Sequence, residues 1–170
     1  SQDPGRLAAA WHAAPGEAFD FSEGSDRLEV KAAGGGAREH YFSLVQVHPA
    51  HGMRVLVASL LAEALAGGTP VKRLLAELRG RLATRPELAL RVERIAAQSL
   101  GKSWTPALDE SFDWQRAEDS LRFFEAHRIP AVPKELPREV SDVRFRSDLS
   151  GCASLGLEEA RQRGGLFEAL

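Results

Sequence analysis

A chain of 170 residues, 44% hydrophobic and 27% charged, with a formal net charge of −2, has the composition of one ordinary globular domain. No run approaches the ~20 apolar residues that span a bilayer, no signal peptide is visible, and the single cysteine, Cys152, excludes an internal disulfide and a thiolate metal cluster. A cytoplasmic protein with no membrane partner fits, and the near balance of charge neither demands nor forbids nucleic acid as a partner.

Ser1-Gln2-Asp3-Pro4 reads as an expression-tag remnant, which leaves 5–170 as a single domain whose native chain could start further upstream. Arg6 to Ala14 reads as a short alanine-rich helix ended by Pro15-Gly16. Ala18 to Ser22 and Arg27 to Ala32 alternate and meet at Gly24-Ser25, a pair suited to a type II′ hairpin turn. In that register Asp20 faces Glu29, Phe21 faces Leu28 and Phe19 faces Val30. Phe19 and Phe21 then share one face, and Asp20, Glu29 and Lys31 share the other.

Gly34-Gly35-Gly36 is a flexible turn before a third strand, His40 to Val45, and Pro49, His51 and Gly52 break the chain again. Arg54 to Leu65 is strongly apolar; it begins as a buried strand and could end as a helix. Thr69 is the expected N-cap of the next helix, with Pro70 in its first turn and Leu74, Leu75, Leu78 and Leu82 as its apolar stripe. A second helix runs from Pro86 to Leu100, stopped by Gly101. Glu118 to His127 alternates in part, as a strand would, and the prolines between Ile129 and Pro137 make a rigid, extended connection. Val143 to Arg146 reads as a late strand, and 151–170 as a helix with a loose tail. This order predicts an α/β domain with a mixed sheet.

The hairpin carries the chemistry. Opposed residues place their Cβ atoms about 5 Å apart, and like charges there are destabilising. Two carboxylates brought together need a reason, and a bound divalent cation supplies one. Hard oxygen ligands select Mg²⁺ or Mn²⁺, which polarises a phosphate and activates a water. Asp20 and Glu29 would hold the ion. Lys31, about 7 Å along the strand from Glu29, would orient the water or stabilise charge developing on the phosphorus centre. The plain alternative is a solvent-facing hairpin whose acids pair with Lys31 or Arg27, worth under ~1 kcal/mol.

Phe19-Asp20-Phe21-Ser22 followed by Leu28-Glu29-Val30-Lys31 resembles the core of the PD-(D/E)xK nuclease superfamily, with Phe19 in place of the proline. Trp11, the stretch His40 to Gln46, and the region Pro133 to Leu149 resemble, more narrowly, the bacterial PD-(D/E)xK motif proteins of phage-defence gene clusters. The likeness runs from about Ala8 to Ser150. It implies a restriction-endonuclease-like fold, with a mixed central sheet flanked by helices, and Mg²⁺-dependent endonuclease cleavage of DNA. Asp20, Glu29 and Lys31 would be the catalytic set, with Gln46 as an active-site neighbour. Other defence-system proteins would supply recognition, and two-strand cleavage would favour a homodimer. Members of that family carry an upstream helix with a further metal-binding glutamate. Only Gly5 to Glu17 precede the hairpin here, so the chain reads as a C-terminal portion, and a non-catalytic adaptor or DNA-binding subunit is the alternative.

Other candidates rank below the hairpin. His48 and His51 have an H-x-x-H spacing in a loop, a poor zinc signature without cysteines. His40 begins the third strand beside the proposed site. Residues 72–94 are the most basic segment, from which Lys72, Arg73 and Arg79 could contact phosphates, although nearby glutamates make a solvated helix face the better reading. Trp104 and Trp114 could stack on bases but are expected to pack inside.

Overall fold

The computed structural model describes residues 1–12 and 17–170. Helix α1 (Pro4–Ala10) starts on the Asp3 side chain, which accepts the Arg6 N–H at 2.9 Å, with Pro4 in its first turn. The helix is shorter than Arg6 to Ala14 and includes Pro4, set apart above with the tag; Ala13 to Gly16 lie outside the described residues. The Gln2 and Asp3 amides donate to the carbonyls of Leu170 and Ala169.

Strands β1 (Phe21–Glu23) and β2 (Asp26–Ala33) form the hairpin in the expected register, with Phe21 opposite Leu28 and Glu23 opposite Asp26. Gly24 takes φ +53° at the turn, where a side chain would be strained. One expectation fails. Phe19 does not share a face with Phe21, because the ladder stops at Phe21 and the chain bends at Ala18 to Asp20. Phe19 packs instead on Val55 and Ala126.

Strand β3 (Glu39–Ser43) runs into the short helix α2 (Leu44–Val47), and strand β4 (Arg54–Leu61) follows. The apolar run does not end as a helix. Residues 64–70 form strand β5 (Ala64–Pro70), which pairs with β6 (Ser111–Phe112). Thr69 is held in β5, so helix α3 (Val71–Arg81) takes Pro70 as its N-cap rather than Thr69. Helix α4 (Pro86–Leu100) matches the expected bounds, ending at Gly101 with φ +51°. Helices α5 (Trp104–Ala107) and α6 (Trp114–Ser120) flank β6, and Trp114 is 41% exposed rather than packed inside. Only part of Glu118 to His127 is a strand, β7 (Arg122–Glu125). Strand β8 (Arg144–Asp148) and helix α7 (Leu157–Arg161) complete the chain with a 3₁₀ turn over Gly165–Ala169.

The central sheet has the order β1-β2-β4-β7, with β2 and β4 parallel and the outer pairs antiparallel. It is therefore mixed. β4 sits inside it and is covered on both sides, which is why Val55 to Leu61 are apolar at every position but Ser59 rather than alternating. One face, with Leu28, Leu56, Ala58 and Phe123, packs on Ala160, Phe167 and Leu170. The other face, with Val57 and Phe124, packs on Phe42, Val47, Ile129 and Leu149 beneath an antiparallel β3–β8 ribbon.

The loose tail expected at the end is a core element. Phe167 is 1% exposed, and its burial contributes about 1.5–3 kcal/mol. The segment is locked by Asp26, whose carboxylate accepts from Arg54 Nε at 2.7 Å and Nη2 at 2.6 Å and from the Leu166 amide at 2.9 Å. Gly165, at φ +62°, lies against this pair, and a Cβ there would collide with the Asp26 carboxylate and the Arg54 guanidinium. Only glycine fits.

Candidate active site

Glu29 and Lys31 stand two residues apart on β2 and so project from the same face. Their register partners on β4 are Val57 and Ser59, and those of β7 beyond are Phe124 and Arg122. Asp20 precedes β1, and its side chain does main-chain work. In a continued ladder the Val30 N–H would go to the Phe19 carbonyl; here Asp20 Oδ2 accepts it at 2.8 Å. This bond ends the pairing, turns Phe19 away and fixes the Asp20 carboxylate against β2. The Asp20 carbonyl in turn accepts from the His12 amide at 2.8 Å, and Trp11 stacks on Phe21 with ring centroids 5.9 Å apart.

Glu29 is 6% exposed, and its Oε1 pairs with Lys31 Nζ at 2.6 Å. The Lys31 ammonium also lies 5.6 Å from the centre of the Phe42 ring, a cation–π contact from the overlying ribbon. Burial pushes the Glu29 carboxyl above its ordinary value, and the charge of Asp20 adds to the rise; the hydrogen bond and charge of Lys31 offset it only in part. A carboxyl that binds its proton more tightly in the folded chain contributes stability at low pH. That contribution is lost as pH rises through the raised value. Glu29→Gln should therefore melt above the wild-type, metal-free protein at neutral pH, and the gap should close on acidification. A lower melting temperature at neutral pH would contradict this.

Gln46 is buried and committed at both ends: Oε1 accepts from the Ser43 amide at 3.1 Å and Nε2 donates to the Ala18 carbonyl at 2.9 Å. It ties the start of α2 to the bend that presents Asp20, so its contacts are those of a positioning residue. Lys72 pairs with Asp109, Arg73 with Glu77 and Arg79 with Glu93, so each of these cations has its own carboxylate. His48 Nε2 donates to the Val132 carbonyl at 2.8 Å.

Sequence reasoning missed a polar cluster beside Lys31. Ser59 Oγ, fully buried, lies 2.8 Å from His40 Nε2 and 2.9 Å from Arg38 Nη1. Burial holds His40 below the ordinary histidine value, and the charges of Lys31 and Arg38 hold it lower still. The hairpin rule that opposes Asp20 to Glu29 says nothing about a parallel neighbour, so no pattern in the sequence aligns Ser59 with Lys31.

Asp20 and Glu29, near enough for the charge of Asp20 to raise Glu29, offer hard oxygen atoms. Among the described residues no group of three or more His, Cys, Asp or Glu side chains gathers as a metal site. The donor set of Asp20 and Glu29 fits a cation that keeps much of its water, as Mg²⁺ does. It is poor for zinc, which takes nitrogen and sulfur ligands in a closed tetrahedron.

Among the described residues no helix is long and apolar enough to cross a membrane. No curated protein matches the chain, and no solved structure does. A protein-family model with the description "Putative PD-(D/E)XK family member, (DUF4420)" matches residues 2–150. The mixed central sheet flanked by helices, with the Asp20, Glu29 and Lys31 hairpin at its edge, is the restriction-endonuclease-like arrangement, and the chain belongs to this PD-(D/E)XK family.

Proposed function

We propose that the protein is a Mg²⁺-dependent endodeoxyribonuclease whose catalytic set is Asp20, Glu29 and Lys31. The observation that carries this reading is the conjunction of a desolvated Glu29, a fixed Asp20 and an ammonium 2.6 Å from Glu29 on one sheet face. An acid raised by burial and set beside a second acid is costly to the fold, and such cost concentrates at functional sites. A divalent cation held by Asp20 and Glu29 supplies polarisation of the phosphodiester and activation of water. Lys31 donates a hydrogen bond to the attacking water or to a phosphate oxygen, as the new P–O bond forms and the leaving oxygen departs to take up a proton. The ribbon above, through Phe42, limits where the ammonium can go. Action against foreign DNA alongside other defence proteins is what the resemblance implies.

The test is cleavage of supercoiled plasmid by the whole protein. Nicked or linear DNA is expected with millimolar Mg²⁺ or Mn²⁺ and none with EDTA. A proton on Glu29 competes with the metal, and burial raises its proton affinity in the free protein, so the metal concentration needed for cleavage should rise on acidification. Intact plasmid at every metal concentration would sink the proposal. The non-catalytic adaptor is favoured by one observation, the closed Lys31–Glu29 pair, and it predicts DNA binding without cleavage.

A further inference from the structure

Ser59 joins two cations across the sheet. It is the register partner of Lys31 on β2 and of Arg122 on β7, so all three project from the site face. Arg38 leans onto the same residue: its Nη1 donates to the Ser59 carbonyl and hydroxyl, both at 2.9 Å, and its Nη2 donates to the Ser120 carbonyl. Arg122 Nη1 donates to the carbonyls of Asp119 and Leu121. Among the described residues neither arginine has a carboxylate within ion-pair distance, in contrast to Arg73, Arg79 and Arg116 on the helices.

Two guanidinium groups held together on neutral oxygens are an unfavourable arrangement. Arg38 is half-buried, and burial followed by the charge of Arg122 lowers its proton affinity. Burial, and then the charges of Lys31 and Arg38, lower the proton affinity of His40 beside them. A half-buried Arg38 beside an exposed Arg122, with no counter-ion on either among the described residues, is stabilised when an anion arrives.

We propose that Arg38 and Arg122 form a phosphate track continuing from Lys31, which takes backbone phosphates of the DNA strand next to the one being cut. Lys31 and Arg122 stand two strand spacings apart, about 9–10 Å, a span over which a nucleic-acid strand presents more than one phosphate. The proposal rests on the nuclease reading for its choice of DNA. Its geometry stands apart from the metal ligands.

The experiment is fluorescence anisotropy of a fluorescein-labelled DNA duplex with the whole protein in EDTA, over a series of salt concentrations. Arg122→Gln should weaken binding roughly 3–10-fold at low salt and lower the slope of log affinity against log salt by about one phosphate contact. Arg122→Lys should restore the slope, because a backbone phosphate needs only a positive charge there. Arg116→Gln, which removes a cation paired with Glu63, should change neither quantity. Arg38→Gln reads the second cation, with a melting curve run alongside; if that variant does not fold, Arg122 decides the matter. An Arg122→Gln protein with unchanged affinity and slope overturns the track, as does a wild-type protein that does not bind the duplex. Wild-type binding that depends on Arg122, from a protein that never cleaves with metal, sinks the nuclease reading and leaves the track standing.

Discussion

Lys31→Ala lowers the rate of DNA cleavage by about 10²–10³-fold, the range seen when one preorganised donor is removed from a catalytic site. The reasoning starts from position. Lys31 is the residue that β2 places two steps from Glu29, and the Phe42 ring and the Glu29 carboxylate hold its ammonium from two sides. Its loss removes a cation–π contact worth about 0.5–1 kcal/mol and leaves buried Glu29 to take up a proton in place of its ion pair, so the variant folds but melts below the wild type. Metal binding has opposing consequences to balance: Oε1 of Glu29 is released, but the charge that keeps Glu29 ionised is gone. Calorimetry with Mn²⁺ should therefore still detect binding to Lys31→Ala, and the melting curve should stay cooperative, at a lower midpoint, while the plasmid remains supercoiled. Undiminished cleavage by that variant would remove the lysine from the mechanism.

The largest effect on stability belongs to Arg54. The Asp26 side chain is 5% exposed whereas that of Arg54 is 48% exposed, so the pair is lopsided. Arg54→Met strands a buried carboxylate with only the Leu166 amide to satisfy it, and costs about 3–5 kcal/mol. Asp26→Ala strands a guanidinium that water can reach, and should cost about 2 kcal/mol in lost charge-assisted hydrogen bonds. The double variant should then be less destabilised than the two single costs added, because the penalty of the unpaired charge is present in each single variant and absent from the double. Urea unfolding of the wild type and the three variants measures all of this. An Asp26→Ala protein less stable than Arg54→Met would show that the buried carboxylate is not the side that matters.

How much of this was readable beforehand depended on whether the interaction was local. The β1–β2 register followed from Gly24-Ser25 alone, because a two-residue turn leaves one pairing, and the alternation of Leu28, Glu29, Val30 and Lys31 then assigned their faces. The bounds of α4 were equally local, set by Pro86 and Gly101. Phe19 was misplaced because a side chain, Asp20, took a hydrogen bond that a backbone pattern would give to a carbonyl. Residues 64–70 were misread because a strand with glycines and exposed positions has no period of its own; its partner β6 lies far along the chain. The tail looked loose for the same reason. Its backbone, at the Arg163 carbonyl, Gly165 and the Leu166 amide, is what meets Asp26 and Arg54, and nothing within 151–170 announces those partners. The Ser59 cluster needed the β2–β4 parallel register, which no hairpin rule supplies.

The β3–β8 ribbon has a consequence for the order of assembly. Phe42, which covers Lys31, faces Phe145 across that ribbon, with more than half the chain between them. Closing so long a loop is slow and comes after local pairing. A hairpin bearing Asp20, Glu29 and Lys31 can therefore form early during synthesis, while the lid that confines the lysine waits until residue 148 has left the ribosome. A half-made chain holds the acids and the ammonium in an open, water-filled hairpin with no catalytic geometry. On the nuclease reading, this late closure keeps the nascent protein from cutting DNA until the ribbon is in place.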